Sequence, residues 1–332
     1  MASIPLHRLP DNAKTTIIKI WEFTEKVNYS LCTKSTRSQV RAINQRLRTL
    51  EVIWRQAFSL TLTLESPYEI FFHSTSATRL NVEQVSWARQ VYDENYRLVW
   101  QPAFFKKEEY SGRDWIAHFL YIFNGKQVDI LTLESRELEV DSGLEVLSGF
   151  GVTRLHSRHV RDPYAVQVLN RLPSVKQISL DGEEFTDGSA YDRVLQKYFQ
   201  TIHLRAAQLS LDQLYLLNST YANVRVRLNA KEFNRFLLSW MRGSSPHINY
   251  LECFTTVRNE EDRIMRGIHY ERKPANLRRR IVSADYVVWD PSFDRLLVGG
   301  LDFMRMQDGV TATVWLPTDP PGNTMFRFAV WR

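Results

Sequence analysis

Hydrophobic positions change period along this chain, and the changes divide it. After Leu9-Pro10, apolar residues return at Ile17, Ile18, Ile20 and Trp21, then at Val27, Tyr29 and Leu31, then at Val40 and Ile43. A proline just ahead of a periodic segment suits a helix start, because its fixed φ and missing N–H fit the first turn. The spacing predicts two or three short helices with polar joints, too small to bury a core without a partner surface. Further on, SLTLTLE and YEIFFHS alternate with β-branched and aromatic content, which predicts strands, while RLNVEQVSWARQVYDENY predicts a helix or two.

A repeat follows. Six stretches share the form apolar-x-x-apolar-x-apolar: Val128/Leu131/Leu133, Phe150/Thr153/Leu155, Val175/Ile178/Leu180, Phe199/Ile202/Leu204, Asn223/Val226/Leu228 and Ile248/Leu251/Cys253. Thr153 and Asn223 break the pattern, and Cys253 bends it. The closing positions lie 22, 25, 24, 24 and 25 residues apart, a period that matches leucine-rich-repeat-like units. Between them run helix-like segments, DPYAVQVLNRL, SAYDRVLQKYF, SLDQLYLLNS and AKEFNRFLLSWMRG, with Ser189 and Ser210 placed as N-caps and Gly243 as a stop. Strands that alternate with helices at this spacing run parallel, since each helix carries the chain back.

Asp308-Gly309 between alternating apolar runs predicts a hairpin, so the last fifty residues are expected to form antiparallel strands capping the arc. The fold class read from the sequence is therefore α/β: short N-terminal helices over 1–46, a strand/helix cap over 47–112, a leucine-rich-repeat-like parallel βα arc over 113–282 and an antiparallel β cap over 283–332. The alternative, a doubly wound sheet, wants a Gly-rich turn after an early strand. Gly149-Phe150-Gly151 precedes one.

Charge sharpens this picture at one end. The net charge of +6 sits entirely within residues 1–50, where nine Lys and Arg face three Asp and Glu. Nucleic acid, an acidic protein surface, or water alone on a solvated face are the candidates for such a patch. Aromatic interleaving is lacking, so nucleic acid is not the expected partner. No window approaches 18 consecutive apolar residues, and Lys14, Lys19 and Lys26 interrupt the N-terminal stripe, so neither a membrane nor a leader is expected. Cys32 and Cys253 give no disulfide framework, which fits a reducing intracellular compartment, cytoplasmic or nuclear.

Candidate chemistry is sparse. His156-Ser157-Arg158-His159 lacks zincin spacing and reads as surface polarity. Cys32 reads as a small buried hydrophobe, Glu183 and Glu184 as a solvated turn, and Trp240, Trp315 and Trp331 as core or capping residues. The expectation is no enzyme, no metal and no cofactor. Binding is the more promising class. If the arc forms, its concave face carries Thr132 and Glu134, Arg154 and His156, Ser179 and Asp181, His203 and Arg205, Arg225, Arg227 and Asn229, Tyr250, Glu252 and Phe254. Of these, Arg154, His156, His203, Arg205, Arg225, Arg227, Tyr250 and Phe254 are the candidate substrate contacts, because such types dominate interfaces. The arginines point to an acidic or phosphorylated segment, or else pair with Glu134, Asp181 and Glu252. The basic stretch ERKPANLRRR reads as a mobile loop.

Two regions resemble one known family. Leu9-Pro10, Ser30-Leu31-Cys32-Thr33-Lys34 and Arg37-Ser38-Gln39-Val40 resemble the F-box of nematode F-box proteins, with Trp21-Glu22 where a Met-Asp-like pair is usual and Lys26 where an apolar residue is common. DWIAHFLYIF, LNAKEFNRFLLSWMRGSSPHINYLECF and the ending DFMRMQDGVTATVWLP…FRFAVW resemble the F-box-associated domain, type 2, that follows in that family. The resemblance implies a substrate-recognition subunit of an SCF-type cullin–RING ubiquitin ligase. Leu6, Leu9, Pro10, Ile17, Ile20, Val27, Leu31 and Val40 would then meet a Skp-type adaptor, and through it a cullin, while the arc binds an unknown target protein. The alternative is a ligase-independent interaction module with a degenerate F-box.

Overall fold

The computed structural model describes residues 6–331 except 56–57, 65–66, 74–83, 93–97, 101–102, 106, 108, 136–138, 159–161, 182–187, 246, 256–259, 282–295 and 317–323. The fold is mixed α/β. The chain divides into two compact units, residues 1–160 with 167–175, and residues 161–166 with 176–332.

In the first unit, three short helices open the chain: α1 (Asp11–Ile20), α2 (Phe23–Cys32) and α3 (Lys34–Ala42). Pro10 stands immediately before α1, as its fixed φ allows. Glu25 reaches back to accept the Glu22 N–H at 2.8 Å, and Thr33 accepts from the Thr36 N–H at 3.1 Å, so the joints between helices are capped locally. Next come β1 (Thr49–Trp54), β2 (Phe58–Thr63), β3 (Pro67–His73), β4 (Gln84–Tyr92), β5 (Leu98–Trp100) and β6 (Ala103–Phe105). They are followed by α4 (Gly112–Ile122), β7 (Val128–Leu133), α5 (Val140–Val146) and β8 (Val152–Ser157). β1 pairs parallel with β7, and β7 with β8, while β1 to β4 form an antiparallel meander. Both β5 and β6 pair with β4.

Register lines up one apolar row, Leu155–Leu131–Val52–Leu60–Ile70, across this sheet. All five side chains are buried. α4 adds Trp115, Ile116, Phe119 and Ile122 to the core, and α2 inserts Phe23, stacked on Tyr68 at 4.2 Å and near Phe123 at 5.7 Å. α5 can approach only because it carries Gly143, where a Cβ would stand 1.8 Å from the Trp54 ring.

α6 (Asp162–Arg171) spans the division between units. The second unit continues with β9 (Gln177–Leu180), α7 (Gly188–Gln196), β10 (Phe199–Leu209), α8 (Leu211–Leu216), β11 (Ser219–Val226), α9 (Ala230–Met241), β12 (Tyr250–Thr255) and α10 (Glu261–Ile264). It closes with β13 (Glu271–Arg280), β14 (Leu296–Met304), β15 (Thr311–Trp315) and β16 (Thr324–Trp331). β9 to β12 are parallel neighbours; β16 adds antiparallel to β12, and β15, β14 and β13 follow antiparallel. One apolar row runs Ile178–Ile202–Ala222–Leu251–Phe328–Val314–Leu301. α9 seals it through Phe233 stacked on Phe326 at 4.4 Å and Trp240 edge-on to Phe328 at 5.1 Å.

All six predicted repeat strands are present, as is the antiparallel ending with its turn around Asp308-Gly309. Four expectations are corrected. Within RLNVEQVSWARQVYDENY the described residues, Gln84–Tyr92, form the strand β4 rather than a helix: Val85, Trp87 and Val91 fit a period of two as well as a helical one, and pairing with β3 (Ile70 opposite Trp87) decides the matter. ERKPANLRRR is the strand β13 rather than a loop, with Pro274 placed where the ladder with β14 is irregular and no N–H is required. Ser189 is the second residue of α7, not its cap. In the fifth repeat the phase slides by four residues, since Ala222 and Val224, not Val226 and Leu228, align with Ile202/Leu204 and Leu251/Cys253. The irregular pairing between Leu204 and Gln208 absorbs the slip. His159, Glu183 and Glu184 lie outside the described residues.

Candidate functional site

Two surfaces carry the candidate residues. The first is the N-terminal helix trio. α1 turns Ile18 inward and leaves Ile20 78% exposed, with Leu6, Leu9, Ile17 and Leu31 half-buried and Pro10 exposed. Ile20 thus offers apolar surface beside the half-buried Ile17, which a partner would cover with a gain in burial. Val27 and Val40, placed on the adaptor surface by the family resemblance, are 0% exposed. They form the trio's own core, because helices this short must spend their central apolar positions on each other.

The departures from the family pattern have local roles. Lys26 is buried, and Trp21 stands edge-on to Tyr29 at 5.2 Å. α4 and the residues just ahead of it hold the trio by polar contacts that the sequence did not reveal. Ser30 Oγ lies 2.8 Å from His118 Nε2, Arg37 donates to the Tyr110 hydroxyl at 2.5 Å, and Lys107 donates to the Leu31 carbonyl at 3.3 Å. Burial pushes the His118 imidazole down to about 3, helped by the positive charges of Arg37 and Lys107. This Ser–His pair is sealed from solvent, as both side chains are buried.

The second surface is the polar face of the sheets. In the first unit, Arg154 and His156 are buried, and so is Ser157, which corrects the expectation of surface polarity for that run. Burial lowers the Arg154 guanidinium against the raising effect of Asp129 and Glu51, and its Nε donates to the Asp129 carbonyl at 3.4 Å. Glu134 pairs with Arg55 at 2.8 Å and Arg158 at 3.3 Å.

In the second unit the face is arranged in rows. One row joins Gln177, Thr201, Tyr221, Tyr250, Ala329, Thr313 and Asp302. It is covered: Leu297 packs with Tyr250 and Ala329, so Tyr250 offers no surface to a ligand. Gly299 and Gly300, at φ +65° and +106°, let β14 bend there, and a Cβ on Gly300 would meet Thr313 at 2.4 Å. The cover is locked by Arg279, whose Nη1 and Nη2 donate to Asp302 at 2.8 and 2.7 Å while Nη1 also donates to Thr313 at 2.6 Å. Trp331 Nε1 donates to the same hydroxyl at 2.7 Å, and its ring lies 5.2 Å from the Arg279 guanidinium.

The next row, Ser179–His203–Asn223–Glu252–Arg327, is a buried polar ladder for most of its length. Glu252 accepts from Asn223 at 2.9 Å and from Arg327 at 3.0 Å, and His203 is buried beside it. Among the described residues, the row at the C-terminal ends of the strands is the open one. There Arg205, Arg225 and Arg227 are exposed, and Phe254 and Met325 are half-buried. Arg205 faces Asp181 at 3.7 Å, Arg227 donates to Gln208, and Arg225 sits opposite Phe254 with no carboxylate on it among the described residues. Asn229, expected on the ligand side, instead caps α9, its Oδ1 accepting from the Glu232 N–H at 3.1 Å.

Of the eight predicted substrate contacts, Arg154, His156, His203 and Tyr250 are thus enclosed, and Arg205, Arg225, Arg227 and Phe254 reach the surface. Cys32, expected to be buried, is exposed, because it closes α2 on its outer side. Among the described residues no cluster of three or more His, Cys, Asp or Glu is placed to hold a metal ion. No helix among them is long and apolar enough to cross a membrane.

No curated protein and no solved structure matches the chain. Residues 190–253, which run from α7 through β12 and include three of the four open side chains, match a family model described as F-box associated, so this part of the chain is similar to F-box-associated regions.

Proposed function

We propose that the chain is the substrate-recognition subunit of an SCF-type cullin–RING ubiquitin ligase. In this reading α1–α3 bind a Skp-type adaptor, and the second unit binds a target protein through the open ends of β10–β12. The observation that carries it is the F-box-associated match at 190–253, which lies downstream of a helix trio with Ile20 left open. Leu9, Pro10, Ile17 and Ile20 supply the apolar half of the adaptor contact, and the basic residues of the trio complement an acidic partner. Arg225 lies in register with Phe254, and Arg205 is exposed on the neighbouring strand β10, a combination suited to an acidic or phosphorylated segment. No bond is made or broken by this chain in the proposal. It brings target and ligase together, in whichever intracellular compartment the ligase works.

Co-expression with a Skp-type adaptor, followed by size exclusion, tests the reading. Wild type is expected to elute as a stoichiometric complex, and Ile20→Asp to lose it with unchanged thermal stability. Covering Ile20 contributes about 1.5–3 kcal/mol, which corresponds to a loss of at least tenfold in affinity. Wild type eluting alone at micromolar concentration would instead establish a ligase-independent interaction module.

A further inference from the structure

The ends of α3 and α4 border an open cavity of about 490 Å³ whose wall is cationic. Arg41, Arg46 and Lys126 line it together with Asn44, Asn124 and Tyr121, and no Asp or Glu does. Among the described residues no carboxylate pairs with any of the three cations, whereas Arg55 and Arg158 share Glu134, and Arg171 meets Asp141 at 2.8 Å.

Helix C-termini attract cations by themselves, so the charge must be weighed against the two helix ends. Each contributes about −0.5 of an elementary charge. Against three full positive charges the wall keeps roughly two. Helix-end compensation therefore accounts for about one of the three cations and leaves the others.

Arg41 is also held in place. Its Nε donates to Asn124 Oδ1 at 3.2 Å, Asn124 Nδ2 donates to the Arg41 carbonyl at 3.2 Å, and the guanidinium lies 4.5 Å over the Tyr121 ring. Asn44 and Asn124 both take left-handed conformations, φ 54° and 51°, which stop the two helices and bring their carboxamides to the cavity. A pinned, stacked guanidinium presents its remaining N–H groups as a ready fork, the geometry that matches a phosphoryl group. The volume lies within the range of small-ligand sites and exceeds what one phosphate needs.

We infer that this cavity is a binding site for a phosphoryl group carrying two negative charges, borne on a small ester or on a phosphorylated side chain. The site lies wholly in the first unit, and two of its cations, Arg46 and Lys126, lie outside α1–α3 and outside the target contact proposed above. Arg41 and the asparagines orient the group, and Arg46 and Lys126 neutralise it.

The test is titration of the full chain by calorimetry and thermal shift at constant ionic strength. The probes are inorganic pyrophosphate, glycerol 3-phosphate and a short neutral peptide with one phosphoserine. Wild type is expected to give saturable binding and a rise in Tm with ligand concentration. Arg46→Gln/Lys126→Gln, two exposed positions, is expected to weaken Kd at least tenfold with an unchanged Tm in the absence of ligand. Lys231→Gln/Arg242→Gln, two exposed cations of the second unit outside the proposed target contact, serves as the charge-matched control and is expected to bind as wild type does. Tighter binding of the peptide identifies a protein-borne group, and tighter binding of the ester a small molecule. Absence of saturable binding, or equal binding by the Arg46/Lys126 variant, overturns the inference.

Discussion

His118 Nε2 lies 2.8 Å from Ser30 Oγ, and both side chains are buried. Ser30 gives its own proton to the Val27 carbonyl at 2.6 Å, so the hydrogen between Ser30 and His118 belongs to the imidazole. The ring is therefore neutral with Nε2 protonated, and Nδ1 has no hydrogen-bond partner among the described residues. One hydrogen bond thus ties the helix trio to α4 and fixes the charge state of the histidine that makes it.

The consequence is a pH-dependent stability. The folded chain holds His118 at about 3, below an unfolded value near 6.5. The unfolded state binds the proton first, so the contribution is whole above roughly pH 6.5 and is lost as pH falls toward 3. Denaturation midpoints between pH 7 and 5 should decline by up to about 1.4 kcal/mol per pH unit. His118→Gln should lower stability at pH 7 and flatten that slope; an unchanged slope would show that His118 is not the group responsible.

Asp302 supplies a second window, at lower pH. Burial acts to raise its carboxyl, but hydrogen bonds from Arg279 and Thr313, with the charges of Arg279 and Lys273, hold it below the usual carboxylate range. Its contribution is present above the unfolded value near 3.9 and is lost as pH falls through the folded one. Asp302→Asn leaves Arg279 without its countercharge and should cost roughly 3 kcal/mol at neutral pH, read by urea denaturation.

Gly143→Ala tests the contact between α5 and β1. The added methyl would meet the Trp54 ring at 1.8 Å, so the helix or the indole must move. A loss of about 1–3 kcal/mol is expected, with a changed tryptophan emission as the structural readout.

Asn229→Ala separates a cap from a ligand contact. The reciprocal bonds with Glu232, at 2.8 and 3.1 Å, should make the variant about 1 kcal/mol less stable. Target binding should stay at the wild-type level once the chain is folded.

Thiol titration distinguishes the two cysteines. Cys32 is exposed, whereas burial, with the charge of Glu252, pushes the Cys253 thiol well up. One thiol should react in the native chain and a second only after denaturation. Two fast native thiols would contradict the burial of β12.

The amino-acid sequence by itself determined the local order of elements: a proline-led helix trio, six strands at a period in the twenties, and an antiparallel ending with an Asp-Gly turn. Those features are local, set by apolar spacing and by which residues tolerate a turn. The open arginines at 205 and 225 were also legible, because a parallel strand alternates its faces residue by residue. The sequence could not say that β4 is a strand, since a short apolar run fits both periods until a neighbour pairs with it. Nor could it place the fifth repeat, where Asn223 occupies a strand position and an irregular ladder hides the slip. Tertiary structure alone decided which candidates are enclosed. Tyr250 is shut in because Leu297 of β14 packs on it, and Val27 and Val40 because they are buried within the trio of short helices. His118 finds Ser30 from 88 residues away along the chain, and Arg41 and Lys126 line one cavity only where two helices end together. Spacing encodes the face of an element, whereas its partner depends on packing between residues far apart in sequence.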